Sequence, residues 1–123
     1  MPTTTAMTNT LESALINLIL NGTGYTAGQV TYIGILSAAG SDSAQTEMSG
    51  SSRQAIAFGA STSGSAVTNT GAITFTNSGW GSTSVYGVGF FNISTLGGAG
   101  DTCLLYGNFD SVVTVGAGQS LQF

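Results

Sequence analysis

Apolar side chains recur at two different spacings along the chain, and each spacing predicts a different element. Between Asn9 and Leu20 the spacing is helical, and the residues that carry it are Leu11, Leu15, Leu18 and Ile19. This pattern predicts an amphipathic helix that covers a hydrophobic face. Asn9 is expected to cap the helix, with Glu12 three residues on in a capping-box position. Gly22 is expected to end the helix as a left-handed cap.

From Val30 onward the apolar spacing changes to two, which is typical of strands. The predicted strands are residues 30–37, 53–59, 67–76, 82–93, 103–109, 111–115 and 119–123. The first of them is apolar on both faces, which favours a central strand buried on both sides. Ile56 and Phe58 are expected to face inward in the second strand, as are Ile73 and Phe75 in the third. A turn at Asp110 is expected to separate the fifth and sixth strands.

These elements predict a mainly β fold, an antiparallel β-sandwich or barrel of about seven short strands with one N-terminal α-helix. Residues 9–123 are interpreted as a single domain. Residues 1–8 are polar and without periodicity, and they are interpreted as an extended N-terminal arm, with a frayed terminus as the alternative. Gly87 and Gly89 lie inside a predicted strand, where glycine marks a bulge or a close backbone approach.

Composition excludes several classes of function. The 123 residues include one arginine, one cysteine, no lysine and no histidine, and five acids give a formal net charge of −4. Binding to duplex nucleic acid or to an acidic membrane needs several cations, so neither partner is expected. Catalytic triads that contain histidine, zinc sites built from cysteine and histidine, and phosphate-binding P-loops lack their essential residues. We therefore expect no cofactor and no metal.

The five acids form no convincing pair for acid–base catalysis. Asp101 and Asp110 flank one predicted strand and are not expected to converge. Asp42 and Glu47 share a long loop, residues 38–52, but their spacing does not match an EF-hand calcium site. No catalytic residue is therefore assigned, and the chain is expected not to be an enzyme; a glycan hydrolase is the alternative from the enzyme class.

Arg53 and Trp80 are the two side chains that composition makes distinctive. Arg53 is expected to pair with Glu47 or with a carbonyl and so to tie down the 38–52 loop, with a contact to a partner chain as the alternative. Trp80 follows a glycine-containing turn. It is interpreted as a core residue or, alternatively, as part of a sugar-stacking platform with Tyr25, Tyr32, Tyr86 and Tyr106.

Several short segments carry a family resemblance, and they occur in order along nearly the whole chain. They are NGTGYT at 21–26, VTYIGIL at 30–36, EMSG and RQAIAFG within 47–59, WG and VYGV within 80–88, and LLYG and VGAGQSLQF within 104–123. In this order the chain resembles a family of small virion proteins of tailed bacteriophages, called head-decoration or tail-fibre-like proteins. The resemblance implies a structural role without a catalytic motif. Asn92 stands where related sequences often have an aspartate, so no metal or partner contact is carried over to it.

The function expected from the sequence is a non-enzymatic virion protein, a capsid decoration (cement) protein that binds across junctions of the major capsid protein. Made in the host cytoplasm, it would lie on the capsid surface rather than the tail, as a homotrimer bound to the major capsid protein or other virion proteins. The expected partner-binding residues are Met1, Pro2, Thr3, Thr4, Thr5, Arg53 and Trp80, with the arm adding a strand to a neighbouring sheet. The alternative is a tail-fibre or baseplate module that contacts a host surface glycan through Trp80, the tyrosines and the 38–52 loop.

Overall fold

The structure is a computed structural model that describes residues 2–22, 24–25, 29–60, 68–98 and 101–123. Within these residues it contains one helix and seven strands. In chain order they are β1 (Pro2–Met7), α1 (Asn9–Asn21), β2 (Tyr32–Leu36), β3 (Gln54–Ala55), β4 (Thr74–Thr76), β5 (Ser84–Phe91), β6 (Cys103–Thr114) and β7 (Ser120–Gln122). The predicted mainly β fold with one N-terminal helix is confirmed.

The strands form two antiparallel sheets that share one core. The larger sheet has the strand order β1-β6-β5-β2-β3, and β4 pairs with β7 to form a two-stranded ribbon. Ile33 and Ile35 of the large sheet pack in one cluster with Ile73 and Phe75 from the β4 segment. Residues 33–36 of β2 are all buried, which confirms the predicted central strand. The inward positions of Ile73 and Phe75 are confirmed as well.

Helix α1 begins one residue earlier than the capping pattern suggests. Thr8, not Asn9, is the N-cap: its hydroxyl accepts from the N–H of Leu11 and donates to the carbonyl of Cys103. The backbone of Thr8 also bonds to β6, so tertiary contacts decide where the helix starts and Glu12 loses its capping-box position. The left-handed C-cap at Gly22 is confirmed, with φ of 64°.

The N-terminal segment belongs to the sheet. Residues 2–7, interpreted from the sequence as an arm ahead of the domain, form the edge strand β1, which pairs with β6 from Phe109 to Leu105. The physical reason is the length of β6, whose N-terminal half would otherwise expose an unpaired edge. Met1 lies outside the described residues.

Strand β6 is continuous, so the predicted turn at Asp110 is wrong. Residues 109–112 stand opposite Tyr86 of β5 as an irregularity in the pairing, and the ladder resumes beyond them. A bulge absorbs extra residues without reversing the chain. Phe58 also departs from its predicted inward position: it is 39% exposed, because regular pairing in this segment ends with β3.

Candidate functional site

Arg53 lies just before β3 and directs its side chain into the protein. It is 8% exposed. Its Nε donates to Oε2 of Glu47 at 3.0 Å, and its Nη1 donates to the carbonyl of Ile93 at 2.8 Å. The guanidinium carbon lies 3.6 Å from the centre of the Phe91 ring. The Arg53–Glu47 pair expected from the sequence is therefore present, and it ties the 38–52 loop to the large sheet.

Asp101 completes an ion triad that the sequence analysis missed. Its Oδ1 accepts from Arg53 Nη1 at 2.7 Å, and its Oδ2 accepts from the backbone N–H of Gly97 at 2.8 Å. Asp101 is 48 residues away from Arg53 in the chain, and no local spacing signals the contact. The β5–β6 connection brings the two side chains together, so the triad fastens this connection to the 38–52 loop.

The charges of the triad stabilise one another. Burial alone would lower the pKa of Arg53, but hydrogen bonds and charge interactions with Glu47 and Asp101 raise that pKa above its ordinary value. Burial would raise the pKa of Asp101, but its bonds to Arg53 and to Gly97 lower it instead. Both groups are therefore ionised at neutral pH. Both carboxylates bind the guanidinium that lies between them. This is the arrangement of a structural ion triad, not of a pair of acids that face a substrate.

A polar cleft of about 280 Å³ opens beside the Arg53 segment. It lies between the end of the 38–52 loop, β4 and the turn that follows β4. We call it the Trp80 cleft, and its lining residues are Gly50, Ser51, Ser52, Gln54, Thr74, Phe75, Thr76, Ser78 and Trp80. The structure thus brings together Trp80 and the long loop, two of the elements considered for glycan contact.

Asn77 holds Trp80 in place. Its side chain is buried, and Oδ1 accepts from the backbone N–H groups of Gly79 at 3.2 Å and Trp80 at 3.0 Å. Its Nδ2 donates to the carbonyl of Val115 at 2.8 Å. An asparagine that bonds to the backbone two residues on forms a turn of defined shape. The indole therefore projects from a turn anchored to the core.

The two walls of the cleft meet backbone to backbone. The N–H of Gly81 donates to the carbonyl of Ser49 at 2.9 Å. Gly50 has φ of 77°, and a Cβ there would lie 2.5 Å from the carbonyl oxygen of Gly79. Glycine is therefore required where the loop crosses the turn, and this contact sets the width of the cleft.

None of the four tyrosines lines the Trp80 cleft, so the proposed platform of Trp80 and tyrosines is wrong. Tyr32 and Tyr106 lie on the large sheet, while Trp80 lies in the turn after β4 of the ribbon. Tyr106 is 5% exposed, and its hydroxyl donates to Oδ1 of Asp42 at 2.8 Å. Tyr25 follows the helix and is exposed.

The residues expected to bind a partner do not form one surface. Pro2, Thr3, Thr4 and Thr5 lie on β1, at one edge of the large sheet, and Arg53 and Trp80 lie beyond its other edge at β3. Because Arg53 is buried in the triad, it offers little surface to another chain. Trp80 is half-buried, and it packs on the core with part of its surface open to the cleft.

The described residues offer neither a cluster of metal ligands nor a membrane-spanning helix. Among residues 2–22, 24–25, 29–60, 68–98 and 101–123, no group of three or more metal-ligating side chains comes together. No helix in the described segments has the length and apolar character that crossing a membrane requires.

Comparison with models of known protein families gives a match. Residues 6–123 match the model of a protein family described as "Podophage GP4 fiber I protein gp80". The match covers the helix, strands β2 to β7 and the Trp80 cleft, and it begins at the end of β1. The resemblance to small virion proteins of tailed bacteriophages is thereby confirmed. No curated protein and no solved structure matches the chain.

Proposed function

Because this chain belongs to the family described as Podophage GP4 fiber I protein gp80, we propose that it is a non-enzymatic subunit of a phage tail fibre that contacts a glycan on the host surface. The family match is the observation that carries the proposal. It supports a virion structural protein of the fibre type that associates with other virion proteins. It therefore favours the fibre alternative over the capsid decoration protein that the sequence analysis placed first.

The Trp80 cleft supports the glycan contact. Sugar rings present hydroxyl groups at their edges and C–H groups on their faces. Serine and threonine hydroxyls and the Gln54 amide supply donors and acceptors for the edges, and the indole supplies an apolar face. A concave site with a few convergent polar groups is the usual form of a small-molecule binding site.

Helix α1 supports assembly with another virion protein. Its second half exposes four large apolar side chains, and these are Ile16 (55%), Leu18 (40%), Ile19 (75%) and Leu20 (75%). A helix that is apolar on nearly every side is normally buried. We propose that this half-helix packs against a second copy in a homotrimer, the assembly expected from the sequence.

The assembly proposal is tested with the double variant Ile19→Ser, Leu20→Ser. Both side chains point away from the core, so we expect the monomer to keep its unfolding midpoint. Size-exclusion chromatography coupled to light scattering should give the mass of three chains for the wild type and the mass of one chain for the double variant. Ser13→Ala, an exposed change on the same helix, is the control. A variant with unchanged mass, or a wild-type protein that is already monomeric, contradicts the homotrimer.

Capsid decoration is the second candidate. The low charge of the chain favours it, since weak repulsion suits close packing on a lattice, and the exposed half of α1 is equally suited to a capsid neighbour. Immunogold electron microscopy of purified virions separates the two. We expect label at the tail. Dense label over the head would replace the fibre proposal with decoration, and an unlabelled virion with a working positive control would contradict both.

A further inference from the structure

We infer that the Trp80 cleft takes an uncharged sugar and discriminates against acidic and phosphorylated ones. This inference rests on the proposed glycan contact and names the ligand class of that site. Three observations carry it: the hydroxyl groups open to the cleft, the uncharged lining, and the inward direction of the neighbouring arginine.

The cleft carries polar groups available to a ligand. In the described part of the chain, the hydroxyls of Ser51, Ser52 and Ser78 make no hydrogen bond. The hydroxyls of Thr74 and Thr76 are bonded to Gln122 and Ser120 of β7, which holds them at the rim. Each hydroxyl offers one donor and two acceptor positions, so the lining is suited to sugar hydroxyls, which also donate and accept.

The lining has no charged side chain among the described residues. Arg53 lies in sequence between two cleft residues, Ser52 and Gln54, yet it points the other way and is held by Glu47 and Asp101. Neighbouring residues of an extended segment project to opposite sides, which places the Gln54 amide in the cleft and the guanidinium in the interior.

An anionic sugar would meet two penalties in this site. Its carboxylate or phosphate would lose water without gaining a cationic partner, and burying an unpaired charge is strongly unfavourable. The triad behind the wall carries two carboxylates for one guanidinium, and the whole chain carries −4. Salt screens the distant charges, but it does not supply the missing cation. A neutral sugar meets neither penalty.

The test uses the full chain and matched pairs of sugars in saturation-transfer NMR. The pairs are glucose with glucuronate and galactose with galacturonate, and mannose, rhamnose and N-acetylglucosamine extend the neutral set. We expect transfer from the Trp80 ring to the C–H groups of at least one neutral sugar. Where a matched uronate exists, its binding should be weaker by about tenfold or more, the change equivalent to about 1.4 kcal/mol.

Variants assign the signal to the cleft. Trp80→Ala should abolish the transfer. Because Trp80 also packs on the core, Gln54→Ala is a second variant that removes only a rim amide and should weaken binding. Gln45→Ala is its matched control, which removes an amide of the 38–52 loop that lies outside the cleft. Circular dichroism confirms that each variant is folded.

Each outcome decides a separate point. Uronates that bind as tightly as their neutral partners, with the same dependence on Trp80, overturn the ligand class and leave the glycan contact standing. If neutral sugars bind the wild type and the folded variants Trp80→Ala and Gln54→Ala equally well, the Trp80 cleft is not the binding site. The absence of binding by every sugar overturns this inference and the glycan contact together, while immunogold labelling still tests the fibre role independently.

Discussion

Replacing Arg53 with methionine tests whether the ion triad holds the loops around the Trp80 cleft. Methionine keeps most of the side-chain length over Phe91 and removes only the charge and the donors. The guanidinium bonds to Glu47 and Asp101, whose side chains are 9% and 17% exposed, and to the carbonyl of Ile93. The variant therefore leaves two carboxylates facing each other without a cation.

The expected loss of stability is large for one substitution. Removing one partner from a buried ion pair costs about 3–5 kcal/mol, because the remaining charge is left uncompensated. Total stability of a domain is typically about 5–15 kcal/mol, so the Arg53→Met protein should be folded at neutral pH but weakened. With an m-value of about 2 kcal/mol/M, the urea midpoint should fall by roughly 2 M.

The loss of stability in Arg53→Met should depend on pH in a defined direction. The pKa of Asp101 is lowered in the folded protein, so its stabilising effect is complete above its unfolded pKa and is lost as pH falls through the lower folded value. In Arg53→Met the two carboxylates repel, and protonating Asp101 relieves the repulsion. The difference in the free energy of unfolding between wild type and variant should therefore be largest near neutral pH and should decrease below about pH 5.

Urea unfolding at several pH values measures this difference in free energy, with the fluorescence of Trp80, the single tryptophan, as the readout. The triple variant Arg53→Met, Glu47→Gln, Asp101→Asn removes all three charges and should recover at least half of the loss, since a neutral replacement leaves no unpaired charge. A loss below about 1 kcal/mol, typical of exposed pairs, would refute the reasoning. A difference independent of pH, or a triple variant weaker than the single one, would refute it as well.

Two further substitutions test how the sheet and the cleft are built. Gly87→Ala should destabilise the protein by about 1–3 kcal/mol or prevent soluble expression, because the new Cβ would collide with the Gly107 carbonyl across β5 and β6. Gly71→Ala is its control in thermal unfolding, because a Cβ there meets no atom of the described residues within 4 Å; equal midpoints for the two variants would contradict the close approach. Asn77→Ala should cost about 1–3 kcal/mol by leaving the Val115 carbonyl unpaired, and it should shift Trp80 emission to longer wavelength. A variant with wild-type emission would show that Asn77 does not position the indole.

Local patterns in the sequence were sufficient to predict the helix and most of the strands. Helical spacing marks α1 and its Gly22 cap, and alternation marks the buried strand β2 and the inward pair Ile73 and Phe75. These features depend on residues close together in the chain, whose periodicity follows directly from backbone geometry. The Arg53–Glu47 pair belongs with them, because six residues separate the two and one cation can pair with few acids.

The sequence pattern was misleading where distant contacts outweigh local preference. A polar segment without periodicity became strand β1 because β6 offers it an unpaired edge. Asp110, read as a turn residue, lies in an irregular stretch of β6 because pairing on both sides of it outweighs its turn preference. Phe58 follows the alternating pattern, but its backbone forms an isolated bridge to Asn69 instead of a regular strand, and its ring contacts Phe90 while it stays 39% exposed.

The candidate site shows the same division. Composition alone determined that at most one cationic side chain could meet an anionic partner, because the chain has a single arginine, no lysine and no histidine. Only the tertiary structure decided that this arginine faces inward to Asp101. It also decided that Trp80 lies beside the end of the 38–52 loop and not beside the tyrosines. The reason is physical: charge and periodicity are properties of the chain itself, whereas a cleft is formed by segments whose proximity depends on how the two sheets pack.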